Sequence, residues 1–131
     1  MVKIVVDSSV FIDYTRAGLG DFFQIVSLYK VKKVQVYVSA SVILELWAGE
    51  SLEDKGEEAK VNRLLLPFKK VDLTKQIAKK AGVLVRSKQI NGGFDAIVAA
   101  TALYLDAQLA TSNKKHFEKV KGLKLFEIQE T

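Results

Sequence analysis

Residues 4–13 read Ile4-Val5-Val6-Asp7-Ser8-Ser9-Val10-Phe11-Ile12-Asp13, a β-branched run that stops at an acid and two serines before a second apolar stretch. Three consecutive β-branched residues predict a strand, and a continuous rather than alternating apolar run is what a strand buried on both faces requires. Asp7-Ser8-Ser9 then offers short polar side chains able to cap a helix over roughly residues 10–15. A strand that runs straight into a helix is the repeating unit of a parallel sheet.

The same pattern recurs along the chain. Asp21 starts an amphipathic segment reaching Tyr29, with Phe22, Ile25, Val26 and Tyr29 at helical spacing, and residues 34–38 form a second β-branched strand. Ser39-Ala40-Ser41 opens a helix to about Ala48, with Gly49 as its stop. Residues 53–66 are charged on one side and carry Val61, Leu64 and Leu65 on the other, until Pro67 ends the helix. A strand over 68–73 follows, then a helix capped by Thr74 and running to about Gln89. Asn91-Gly92-Gly93 marks a turn, and Asp95 begins an alanine-rich helix ending near Asp106. Residues 108–110 suit a short buried strand, Thr111-Ser112-Asn113 a loop, His116-Phe117 a short turn, and 123–128 a final strand. Alternation of this kind predicts an α/β fold: one domain over 1–131, with a mostly parallel sheet of about five strands flanked by helices on both faces.

Three carboxylates stand at the edges of these apolar runs. Asp7 ends the first strand, Glu45 splits Leu44 from Leu46-Trp47, and Asp95 precedes Ala96-Ile97-Val98-Ala99-Ala100. Burying an ionised carboxylate costs several kcal/mol or more unless a charge, a metal or hydrogen bonds compensate it, so three such acids suggest a shared cation. Capping is the competing explanation for two of them: Asp7 for the helix after the first strand, and Asp95 by accepting from the N–H of Ile97 or Val98. Glu45 has no such explanation, because Val42, Ile43, Leu44, Leu46 and Trp47 leave its helix apolar on nearly every side. Ligands of parallel sheets gather at the carboxyl ends of strands, where one crevice could collect Asp7, Glu45, Asp95 and Asn113.

Composition narrows the chemistry. The chain lacks cysteine, which excludes disulfides and thiolate metal sites and leaves oxygen and imidazole donors, the set that suits Mg²⁺ or Mn²⁺. Its net charge of +5, with lysines clustered at 30–33, 69–70, 79–80 and 114–124, makes polyanions plausible partners, although surface lysines also serve simply to solvate a fold. The longest apolar-plus-small run, residues 96–105, is about half the ~20 residues of a membrane-spanning helix. The run at 4–6 is too short for the ~7–15-residue core of a secretory signal, so no membrane association and a cytoplasmic location are expected.

Four segments together resemble the PIN-domain family, of the VapC toxin type. Residues 5–13 resemble its opening strand and acid, Ser41-Val42-Ile43-Leu44-Glu45-Leu46 its second acid on a helix, and residues 94–102 its third. Ala110-Thr111-Ser112-Asn113-Lys114-Lys115-His116-Phe117 resembles the segment where the family commonly has a Thr, an Asn or Asp, and often an Asp before Phe. The resemblance implies a metal-dependent ribonuclease in which Asp7, Glu45 and Asp95 bind Mg²⁺ or Mn²⁺ and Asn113 joins them in catalysis. Ser9 and Thr111 are then contacts behind the metal, and His116, in the place of the frequent fourth acid, a further contact or a substrate contact. Asp13 is expected to pair with Arg16 or to cap locally. The implied partners are an RNA substrate, a VapB-type antitoxin and a second copy in a homodimer, with the apolar faces of 22–29 and 61–66 either packed in the core or covered by a partner.

Other functions fit less well. A haloacid-dehalogenase-type phosphatase also begins with an acid after its first strand but wants a second Asp two residues on, where this chain has Ser9. A receiver domain needs paired acids there, and Ser8 and Ser9 are not acids. The remaining alternative is a catalytically inactive PIN-like domain that binds RNA or acts as a scaffold.

Overall fold

A computed structural model of the chain describes residues 1–127. Five strands, β1 (Val2–Val6), β2 (Val34–Ser39), β3 (Lys69–Val71), β4 (Gln108–Ala110) and β5 (Lys124–Leu125), form one sheet in the order β3-β2-β1-β4-β5, and every pairing is parallel. Ile4, Val5 and Val6 are all 0% exposed. Since successive strand residues point to opposite faces, helices must cover both sides of the central strand, which is why its sequence does not alternate.

The helices are α1 (Ser8–Ala17), α2 (Phe22–Lys30), α3 (Ala40–Ala48), α4 (Lys55–Leu65), α5 (Lys75–Arg86), α6 (Gly93–Leu105) and α7 (Lys114–Phe117). Their ends follow local chemistry. Ser39 accepts from Val42 N–H at 3.4 Å to cap α3, and Thr74 accepts from Ile77 N–H at 3.2 Å to cap α5. Gly18 ends α1 in the left-handed region, φ 65°, where its N–H reaches Tyr14 O at 2.9 Å and a side chain would be strained.

Several boundaries differ from the sequence-based expectation. The segment expected to be helical from 53 is split: a 3-10 turn spans Glu50–Glu53, and Asp54 caps α4 by accepting from Gly56 and Glu57 N–H at 2.8 and 3.2 Å. The last strand is two residues long, pairing Lys124 with Gln108 and Leu125 with Leu109, and Phe126 N–H adds one further bond to Leu109 O at 2.7 Å. Its expected terminus, Ile128, lies outside the described residues. In the apolar segments of α2 and α4, Phe22, Ile25, Val61 and Leu65 are buried in the core, while Phe23 and Leu66, at 70% and 77%, are exposed.

α6 is the buried helix of the fold, with Ala96, Val98, Ala99, Ala100 and Ala102 at 0% exposure. Alanines let its backbone approach the sheet closely, and this brings the start of α6 to the carboxyl ends of the strands. No helix among the described residues is long and apolar enough to cross a membrane.

Candidate metal centre

β1 lies between β2 and β4, so chain connections leave it in opposite directions and open a crevice at its carboxyl end. Asp7 is the first residue past β1. Its N–H donates to Ala110 O at 2.9 Å, which extends the β1–β4 pairing and anchors the residue that carries the carboxylate. That carboxylate is 2% exposed. It does not cap α1, contrary to one expectation; Oδ2 instead accepts from Ser9 Oγ at 3.0 Å and Thr111 Oγ1 at 2.9 Å. The other oxygen, Oδ1, is buried and has no hydrogen-bond partner among the described residues.

Glu45 approaches from α3, half-buried, and its Oε1 is likewise buried and without a partner among the described residues. Asp95 comes from the first turn of α6, whose cap is Gly92, so it sits inside the helix rather than capping it as expected. Asp7, Glu45 and Asp95 each present one oxygen such that the three lie within 4.8 Å of one another. Burial raises the pKa of Asp7 despite donation from Thr111 and Ser9, and the charge of Asp95 adds to the rise. Burial also raises Glu45, followed by the charges of Asp7 and Asp95, while the Ser8 hydroxyl pulls the other way.

Leaving a buried polar atom unsatisfied costs about 1–3 kcal/mol, and more when it is charged. Two such oxygens on carboxylates clustered with a third are the electrostatic environment a divalent cation relieves, and an all-oxygen donor set suits a hard cation. The residues therefore fit the group.

The raised pKa values predict a pH dependence for the metal-free protein. A carboxyl with a folded-state pKa above its unfolded value leaves the folded state holding more protons, so stability falls as pH rises through the folded pKa and is regained on acidification. In EDTA, the unfolding free energy of wild type relative to Asp7→Asn should therefore improve from pH 8 toward pH 4, as chemical denaturation at fixed pH values will read.

The loop after β4 supplies the rest of the crevice. Thr111 is buried and its hydroxyl lies 3.3 Å from that of Ser9, so α1 and the β4 loop meet on Asp7 Oδ2. Ser9 Oγ accepts from Ser112 N–H at 3.0 Å, and Thr111 Oγ1 accepts from Asn113 N–H at 3.0 Å. Asp13 does not pair with Arg16; it accepts a hydrogen bond from Ser112 Oγ and ties the same loop to α1. Ser112 carries no sequence signal for this role because it meets Ser9 and Asp13 across about a hundred residues, and the Ser8 hydroxyl, expected to cap α1, acts on Glu45 of α3 instead. Asn113 is exposed at the mouth, and among the described residues its side chain makes no hydrogen bond to the three acids. His116 stands at the edge, half-exposed, with Nδ1 3.3 Å from Asp95 Oδ2.

A five-stranded parallel sheet with a buried acid at the end of its central strand and two more acids on adjoining helices defines a class. Residues 4–123 match the family model of the PIN domain, and the chain belongs to that family. It is 34% identical over 125 residues to ribonuclease VapC10 of Mycobacterium tuberculosis, across 92% of this chain and 90% of that protein. Among solved structures, its fold resembles VapBC2 from Rickettsia felis bound to a promoter DNA fragment, with a TM-score of 0.80 and 21% identity over 98% of this chain and 100% of the other. It also resembles DNA-bound VapBC from Salmonella typhimurium, with a TM-score of 0.79 and 20% identity over 96% and 98% of the two chains.

Proposed function

We propose that the chain is a ribonuclease dependent on Mg²⁺ or Mn²⁺ and the toxin of a toxin-antitoxin pair, with Asp7, Glu45 and Asp95 as its metal ligands. The observation that carries this reading is the pair of buried, unpartnered oxygens, Asp7 Oδ1 and Glu45 Oε1, in a cluster completed by Asp95. Similarity to a VapC ribonuclease along nearly the whole chain supports RNA as the substrate. The same reading takes 1–131 as one domain, working in the cytoplasm as a homodimer held inactive by a VapB-type antitoxin.

When bound, the cation supplies Lewis acidity, yielding an acidified water for attack on a phosphodiester and neutralising charge on the phosphate oxygens. The protein's part is orientation. Ser9 and Thr111 both donate to Asp7 Oδ2, which leaves Oδ1 without a hydrogen bond among the described residues and available to a cation. His116 Nδ1 stands 3.3 Å from one oxygen of Asp95, close enough to orient it when the imidazole is protonated. Asn113, exposed at the mouth, has an amide suited to orienting water or a ribose hydroxyl at the scissile bond.

Thr111→Val keeps the shape and removes the hydroxyl behind Asp7, and cleavage should fall by about 10–100-fold, as for other partners that orient a metal ligand. Single-turnover kinetics with saturating Mg²⁺ will measure the loss. The function itself is tested by induced expression in a bacterial host: wild type should arrest growth and Asp95→Asn should not. Equal growth of the two strains, with purified wild type leaving single-stranded and structured RNA intact in Mg²⁺ or Mn²⁺, would refute the reading.

A further inference from the structure

A groove of about 220 Å³ opens beside the acidic cluster, with Asp95 and His116 as its shared wall and Lys88, Lys115 and Lys119 around it. It is smaller than the ~300–1,000 Å³ of small-molecule sites, and its charged lining differs from their apolar walls. We propose that this groove binds the phosphodiester backbone of a single-stranded RNA on one side of the scissile bond, so that the strand runs from the acids past His116 between the lysines. The ligand's identity rests on the ribonuclease reading; the site rests on its own geometry.

The groove is built rather than accidental. α5 ends in a tight closure, with Lys88 N–H on Val85 O at 3.1 Å and Gln89 N–H on Leu84 O at 3.0 Å. Lys88 itself takes the left-handed conformation, φ 63°, which is uncommon for a residue with a Cβ. Gln89 then spans the gap between the walls: its Nε2 donates to Ser87 Oγ at 2.8 Å, and its Oε1 accepts from Lys121 N–H at 2.9 Å. This bridge fixes the loop bearing Lys88 against the segment bearing Lys115, on α7, and Lys119, in the turn that follows it. All three lysines are exposed, and among the described residues none has a carboxylate within 4.0 Å. Three uncompensated cations at a rigid opening next to three acids form a charge boundary: phosphates are drawn to one side and a cation to the other.

The test is binding in EDTA, where cleavage is suppressed and wild type can be used. Fluorescence anisotropy of a labelled single-stranded oligoribonucleotide is measured against salt for wild type, for Lys88→Ala/Lys115→Ala/Lys119→Ala, and for the same three positions changed to Arg. A matched control changes Lys30, Lys32 and Lys33 to Ala; these precede β2 at the opposite end of the sheet and remove the same net charge. The groove triple should weaken binding at least about tenfold at 0.1 M salt and flatten the slope of log K against log salt by about two, given roughly 0.7 per phosphate contact on single strands. The Arg triple and the control should match wild type. Equal losses in the groove triple and the control, or none in either, overturn the proposal. So does an oligoglutamate peptide that binds as tightly as RNA with the same sensitivity to the triple. RNA binding that depends on the groove in a protein that never cleaves RNA with Mg²⁺ or Mn²⁺ would sink the nuclease reading and leave the groove standing. Cleavage with groove-independent binding would do the reverse.

Discussion

Asp7→Asn should lower metal-dependent RNA cleavage by about 10³-fold or more, while making the metal-free protein more stable. The first effect follows from losing a ligand whose contribution to charge stabilisation is worth several kcal/mol, at 1.36 kcal/mol for each tenfold in rate. The second follows from burial: Asp7 is 2% exposed, with one oxygen unpartnered. Asparagine can still accept from Ser9 and Thr111 through its amide oxygen, and it brings no charge into the crevice. Removing that charge should raise the unfolding free energy in EDTA at pH 7–8 by about 1–3 kcal/mol. Adding Mn²⁺ should reverse the order, because a ligand that binds only the folded state stabilises wild type and finds no complete site in the variant. Urea denaturation with and without Mn²⁺, beside a cleavage assay, reads all three effects. An inactive variant that is also less stable in EDTA would mark Asp7 as a structural residue.

Phe11→Ala should cost about 3–5 kcal/mol, the usual range for a buried phenylalanine. Phe11 is 0% exposed, and its ring centroid lies 5.6 Å from Phe22 and 6.5 Å from Phe68. Phe22 and Phe68 are themselves 6.3 Å apart, so three rings from α1, α2 and the approach to β3 close one cluster. Deleting the first leaves a cavity between elements that cannot collapse together without shifting the sheet. Total stabilities of about 5–15 kcal/mol leave little after such a loss, so the urea midpoint should fall steeply. Phe23→Ala, next to Phe22 on α2 and 70% exposed, should move it by no more than about 0.5 kcal/mol. A small shift for Phe11→Ala would mean that the cluster repacks.

The strands and the three acids were legible because each leaves a local trace. The β-branched run before Asp7 ends where a polar crevice begins, and Glu45 interrupts a helix that is otherwise apolar. Local traces do not give strand order, and the crevice exists only because β1 sits between β2 and β4. Ser9 and Thr111 illustrate the limit. They are 102 residues apart, and their shared hold on Asp7 Oδ2 depends on that order. Asp13 was misassigned for the same reason: Arg16 is near in sequence, whereas Ser112, its observed partner, arrives with the β4 loop. The start of α6 differs because glycine can begin a helix, so Gly93 rather than Asp95 opens it.

Titration of Mn²⁺ followed by electron paramagnetic resonance tests most directly the proposal that Asp7, Glu45 and Asp95 form one divalent-metal centre. Wild type should deplete the free-ion signal until saturated and release it to EDTA, whereas Asp7→Asn and Asp95→Asn, folded by circular dichroism, should leave the signal undiminished at the same concentrations. Equal depletion by wild type and both variants, or none by wild type at millimolar Mn²⁺, would contradict the claim.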